Sequence, residues 1–332
     1  MKAMPAEFDS GYFVGLGAWH HQGNVLEVAP ASPEESVQAS DMAWSVDKEP
    51  IYIKRVDADG CERFHAIPSH CANTRNDRTA DSENDYGVLG IVGAERHNIQ
   101  NIELEQFFQP WIDAGLVRRS ASVSLRGGKR ICLTAEIVGS EVEIVPGDVI
   151  QQYVNMAHAH DTSLALRLGF SKTRVVCSNT LDVMLQTSDL LKHRHTRNCM
   201  INMEAARDLF DVQRAQMRVQ ADIFQALAKH TINDAQATAY FREVLHEGAA
   251  DNEKIVVRGT DRLVELFEAG RGAHFSRGTL WGAFNAITEH ATHERGRKDT
   301  TDAHRFETNM FGQGGVLLGR ALSVAQTILA KG

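Results

Sequence analysis

The apolar pattern of this chain changes period partway along, and that change limits the folds open to it. Through the first half, apolar residues come in short runs or alternate, as they do in strands. From Asn179 onward the spacing lengthens, and Met200 to Lys229 carries apolar residues at i, i+3 and i+4 with almost no glycine or proline. Side chains repeat every two residues on a strand and every 3.6 on a helix, so the two halves call for different elements. A β-rich part followed by a helical part indicates an α+β fold rather than alternating α/β units. The expected architecture is a twisted antiparallel sheet with hairpins over residues 1–195, followed by a helical C-terminal part over 196–332 packed on it. The polar segment Lys192 to Asn198 marks the joint. An apolar stripe of Leu209, Phe210, Ile223, Phe224 and Leu227 needs a partner, which the sheet or a second copy of the chain would supply.

Turn chemistry places the elements. Ser32-Pro33-Glu34-Glu35 has the form of a capping box with proline at the first helical position, and predicts a short helix to about Met42. The runs Ile51–Val56 and Cys61–Ile67 flank Asp57-Ala58-Asp59-Gly60, a hairpin signal. Asn73 to Asp85 reads as a mobile polar loop. Tyr86 to Val92 reads as a strand, and Ile102, Leu104, Phe107, Phe108, Trp111 and Ile112 as an amphipathic helix beginning after Asn101. A second hairpin joins Ala121–Leu125 to Arg130–Ile137 through Arg126-Gly127-Gly128-Lys129. Further strands are expected at 149–156, 163–168 and 173–176, and further helices at 234–246, 260–268, 278–293 and 316–330.

The chain has 332 residues, of which 43% are hydrophobic and 23% charged, an ordinary globular balance. No apolar run approaches the ~20 residues of a membrane span, and the N-terminal stretch lacks the apolar core of a signal peptide. The five cysteines are scattered and odd in number. They suit reduced thiols, and a location in the cytoplasm of a bacterial host is expected. A formal net charge of -8 argues against a protein that coats duplex DNA, while leaving room for a local basic groove.

Several strings are recognisable in order along the chain: Tyr86 to Gly93 running on to Gln100-Asn101-Ile102-Glu103, Ser124 to Arg130, Arg174 to Leu181, His195-Thr196, and Gly278 to Glu289. Together they make the chain resemble the phage/plasmid-like family, domain of unknown function 932, over roughly Leu16 to Ala321. The stretch Asn155 to Asp161 departs from the plainer Asn-Ser-His-Asp-Gly pattern of that family, which weakens any family-derived role for His158. The resemblance implies a mobile-element setting, hence DNA maintenance, recombination or conflict with a host, and brings no catalytic residues with it.

Two basic clusters are candidates for nucleic-acid contact. Arg118, Arg119, Arg126, Lys129 and Arg130 surround the second hairpin tip, where cations and glycine N–H groups suit phosphate oxygens. The structural alternative pairs them with Glu136, Glu141 or Glu143. Arg295, Arg297, Lys298 and Arg305 follow the Trp281 helix, where they would also complement the negative end of its dipole. The tryptophans are scattered and offer no base-stacking platform.

His158 and His160 share a strand face, with Asp161 adjacent, and form the candidate metal group. Cys61, His65, His70 and Cys71, and the pair His290 and His293, are weaker candidates without a recognised ligand spacing. Gly312 to Gly315 suits a helix entry more than an anion site. Cys177-Ser178-Asn179-Thr180 suits a helix cap more than a nucleophile. The favoured function is binding of DNA, single-stranded before duplex, in replication, recombination or annealing, with no cofactor and with a homo-oligomer in view. A metal-dependent hydrolase or nuclease using a divalent metal, and a protein that blocks a host defence factor, are the alternatives.

Overall fold

The computed structural model describes residues 8–15, 23–77, 87–174, 179–183, 191–195, 218–246 and 253–331. Its first half is built on two sheets. The larger contains β1 (Phe8–Val14), β2 (Asn24–Leu26), β6 (Val117–Leu125), β7 (Arg130–Ile137), β8 (Val142–Val145), β9 (Asp148–Ala159), β10 (Leu166–Arg174), β11 (Asn179–Val183) and β12 (Leu191–His193). The path runs β11-β10-β9-β7-β6-β1-β2, with β8 also on β9 and β12 also on β10. Every pairing in it is antiparallel except β1 with β2. The smaller sheet has the order β3 (Val46–Val56), β4 (Glu62–Arg75) and β5 (Val88–Gly93).

Both faces of the large sheet are covered. On one lie helices α1 (Pro33–Ala39) and α2 (Asn101–Asp113) and the root of the small sheet. Leu104, Phe107, Phe108 and Trp111 of α2 pack there with Ile131, Leu133, Val154, Met156 and Leu168. On the other lie α3 (residues 218–229), α4 (Asp234–His246), α5 (Glu253–Ala269), α6 (Leu280–Glu289), α7 (Asp302–Phe311) and α8 (Gln313–Lys331). Phe224, Leu227, Phe241, Trp281, Phe284 and Leu318 from these helices share one core with Val123, Leu125, Cys132, Ala157 and Ala159. Removing an aromatic or leucine side chain from water contributes about 1.5–3 kcal/mol, so this shared core is a main cohesive element. The indole of Trp281 donates to Asp148 of β9 at 2.9 Å, tying the helical layer to a strand end. Leu209 and Phe210 of the expected stripe lie outside the described residues.

The α+β class, the hairpins and the helical C-terminal part agree with the sequence reading; several local assignments change, and the strands expected at 163–168 and 173–176 are one strand, β10. The loop expected from Asn73 begins later, because β4 continues through Arg75 and Asn73, Thr74 and Arg75 are all buried. The helix expected to open at Asn179 is instead β11, paired with β10 from Thr180 opposite Thr173 to Val183 opposite Ser171. Cys177 and Ser178 lie outside the described residues. Helix α7 has no counterpart in the sequence reading, and α5 starts seven residues before Thr260.

Candidate functional site

Most of the hairpin cations are engaged. Arg118, exposed, pairs with Glu136 at 2.7 Å, the partner expected on the structural alternative. Arg119 is buried against Glu105 of α2 at 3.0 Å, and Ser122 donates to the same carboxylate at 2.9 Å. Arg126 reaches Glu307 of α7 at 2.7 Å, and Arg130, buried, pairs with the same carboxylate oxygen. Glu307 is 177 residues from Arg130, too far along the chain for pairing rules to suggest.

The tip itself is wedged into the protein. Arg126 has φ 58° and Gly128 φ 93°. A Cβ on Gly128 would lie 3.0 Å from the Arg75 guanidinium and 3.1 Å from the Trp44 ring. Arg75 stacks on Trp44 at 4.2 Å and is held by Asp9 and Asp77, both at 2.8 Å. Only Lys129 at this tip is exposed and without an ion pair among the described residues. In the second cluster Arg297 and Lys298 are likewise exposed and unpaired. Arg295 is half-buried, and desolvation, with the Arg320 charge second, pulls its guanidinium below its usual value. Arg305 donates its backbone N–H to Thr301 in the first turn of α7.

Beyond the tip lies a buried polar group at the end of β9. His158 and His160 project to the same side, their rings edge to face with centroids 4.5 Å apart. His158 Nδ1 is 3.2 Å from Nε2 of His195, which follows β12. His160 Nε2 is 3.0 Å from Asn101 Oδ1. Asn101 directs its amide nitrogen to the carbonyls of Met42 at 3.1 Å and Trp44 at 3.4 Å, so its oxygen faces His160 and the proton sits on Nε2 of that ring. The Arg96 guanidinium donates to the carbonyls of Ala159, at 2.5 Å, His160 and Asp161, capping the strand end. Asn73 donates to the His160 carbonyl at 2.6 Å. Beside this group a cleft of about 380 Å³ is lined by residues 46–48 and 94–98.

Burial sets the charge state here. Desolvation first, with the Arg96 and His195 charges next, lowers His160 to about 3. Desolvation and then Arg96 lower His195 to about 4. His158 is held well below its usual value by burial and then by His160 and His195. The three rings are neutral near pH 7. Neutral imidazole is the form that ligates metals or relays protons, and Nε2 of His158 is buried with no hydrogen-bond partner among the described residues.

Asp161 does not join the two rings as a third ligand in the way its place in the sequence suggests. Its carboxylate accepts from the Ser163 N–H at 2.7 Å, closing its own turn, and His195 takes the third place. Among the described residues no group of three or more His, Cys, Asp or Glu side chains is arranged to hold a metal ion. His65 and His70 are exposed while Cys71 is buried, and His290 lies 3.6 Å from Glu294. Arg96, Asn73 and Asn101 escaped the sequence reading, since a lone arginine or asparagine in a turn-rich stretch carries no spacing signal. Glu105 was legible in principle: a carboxylate on the apolar stripe of α2 demands a buried cation.

A family model described as Domain of unknown function (DUF932) matches residues 88–310. That span contains both basic clusters and all three histidines, and leaves out β3 and β4. No curated protein and no solved structure matches the chain.

Proposed function

The chain belongs to the family of domain of unknown function DUF932, and on that premise we propose that it binds DNA, single strands in preference to duplex, in the replication or recombination of a mobile element. The supporting observation is the position of Glu307. By holding Arg126 and Arg130 it docks the β6–β7 tip on α7. The loop carrying Arg297 and Lys298 ends at the cap of that same helix, Thr301. Six residues separate Thr301 from Glu307, roughly 9 Å of helix rise. Two clusters far apart in sequence therefore both border one helix, and among the described residues Lys129, Arg297 and Lys298 are their exposed cations without an ion pair. Phosphates are their natural counterions.

The test is a gel-shift salt series with single- and double-stranded DNA, comparing the parent with Lys129→Ala/Arg297→Ala/Lys298→Ala. Three lost contacts on a single strand reduce the slope of log K against log salt by about 2. No binding at low salt, or an unchanged slope in the folded triple variant, removes the reading.

One observation favours the metal-dependent hydrolase as a second reading: Nε2 of His158, beside two neutral rings, has no partner among the described residues. Elemental analysis of the same sample decides it. Near-stoichiometric divalent metal that is lost in His158→Ala supports a metal enzyme; metal-free protein with full DNA binding eliminates it.

A further inference from the structure

We propose that the arm formed by β3 and β4 pairs edge to edge with the arm of a second copy of this chain, antiparallel, about a two-fold axis through Tyr52. From Asp47 to His70 no side chain is buried. Beyond the register shift between Pro50 and Tyr52 the arm is a two-stranded ribbon, with Tyr52 opposite Ala66 and Val56 opposite Glu62. Its Tyr52, Val56 and Phe64 are 55%, 67% and 70% exposed. A lone two-stranded hairpin is at best marginally stable in water, whereas three or more strands with an apolar face stand on their own. Among the described residues β3 has β4 on one side and no strand on the other; at its first residue, Val46, the Gln100 and Asn98 side chains bond the backbone.

The backbone shows which groups face that open edge. Asp57 donates its N–H to the Cys61 carbonyl at 2.9 Å. Bonded and unbonded residues alternate along an antiparallel pair, so Arg55 and Ile53 bond β4 while Tyr52, Lys54 and Val56 turn their N–H and C=O outward. An edge of this kind recruits another strand.

Charge selects both the partner and the register. Arg55 sits opposite Arg63. Arg63 is neutralised by Asp57 and Asp59, whereas Arg55 has no ion pair among the described residues. Self-pairing centred on Tyr52 sets Glu49 opposite Arg55 of the other copy, twice by symmetry, and Ile51 opposite Ile53, also twice. The same register sets Asp47 opposite Asp57, whose carboxylate Arg63 already holds. Centring on Ile53 would lose the Glu49–Arg55 pairs and oppose Glu49 to Asp57, and centring on Lys54 would oppose that lysine to itself. Pro50 lacks an N–H but offers its carbonyl to Lys54, so each half forgoes one bond. The product is a four-stranded sheet with an isologous interface. This inference stands independently of DNA binding.

The full chain is examined by sedimentation across a concentration series. A dimer that dissociates on dilution is expected, weakened at least about tenfold by Glu49→Arg or Arg55→Glu. The double variant Glu49→Arg/Arg55→Glu should recover it, which loss of the Thr74–Glu49 hydrogen bond alone would not allow. Tyr52→Cys in a Cys61→Ser background should cross-link on mild oxidation. A monomer at every concentration overturns the proposal, as does a dimer indifferent to both single swaps. So does a monomer whose arm variants lose DNA binding, which would give the arm to nucleic acid.

Discussion

The end of β9 and the β3–β4 arm are joined through the root of β4, yet they are opposites in their physical chemistry. At the β9 end, polar groups are withdrawn from water and many are met, since Asn101 serves two carbonyls and one ring and Arg96 serves three carbonyls, while His158 Nε2, Asn73 Oδ1 and Trp44 Nε1 have no partner among the described residues. On the arm, apolar side chains stand in water and the ion pairs are exposed ones such as Lys54 with Glu62. Polar burial with satisfied partners makes a region rigid and intolerant of substitution. Apolar exposure contributes nothing to the fold of the isolated chain, and is retained only through contact with something else. The family match covers the first region's histidines and begins after the arm, at residue 88.

The contrast is sharpest under substitution. Asn101→Leu keeps the approximate volume but strands the Met42 and Trp44 carbonyls and the His160 ring proton. Each buried unsatisfied group costs about 1–3 kcal/mol, so a loss of about 3 kcal/mol or more is expected in urea unfolding. A loss under about 0.5 kcal/mol would show that water or relaxation replaces these bonds, and the rigid half of the comparison would fail.

Acid probes the same group next. His158, His160 and His195 all have folded values below the ordinary 6.5, with His160 at about 3 and His195 at about 4. Above pH 6.5 both folded and unfolded chains hold these rings neutral, and the histidines impose no pH dependence. As pH falls from 6.5 toward 4 and then 3, the unfolded chain takes up protons that the folded one refuses, so stability declines. Each such ring gives a slope of up to about 1.4 kcal/mol per pH unit. His160→Gln should flatten the profile of stability against pH. A wild-type profile level between pH 7 and 4.5 would mean that the rings are accessible and charged.

How much of this was legible in the sequence follows the range of each interaction. Helix α2 was, since its stripe and its start at Asn101 are local. The second hairpin was, since glycines at its tip accept the positive φ that the turn needs. Strand β11 was misread because Ser178-Asn179-Thr180 has helix-capping chemistry; pairing with β10 outweighs that local preference. Strands β2, β8 and β12 have only three or four residues, and β1 lies in a stretch without a clean alternation. The candidate site was half legible: His158 and His160 stood out by type and spacing, whereas His195 appeared only within a family-like string and Asp161 was expected in its place. Their partners did not, because Asn101 is 59 residues from His160 and Asn73 is 87.

The smallest effect is expected on the arm, and it separates folding from association. Phe64 is 70% exposed, lies opposite Lys54 in the register and reaches no core. Phe64→Ser removes apolar surface that is already in water, so unfolding at a concentration where the chain is monomeric should shift by no more than about 0.5 kcal/mol. The same substitution beside the Tyr52 two-fold removes apolar cover from the proposed four-stranded sheet, so unfolding at high concentration, where linkage to dimerisation adds stability, should shift further. Equal shifts at low and high concentration would detach the arm from self-association. A large shift at low concentration would mean that Phe64 is packed within the monomer, and the distinction between the two regions would collapse.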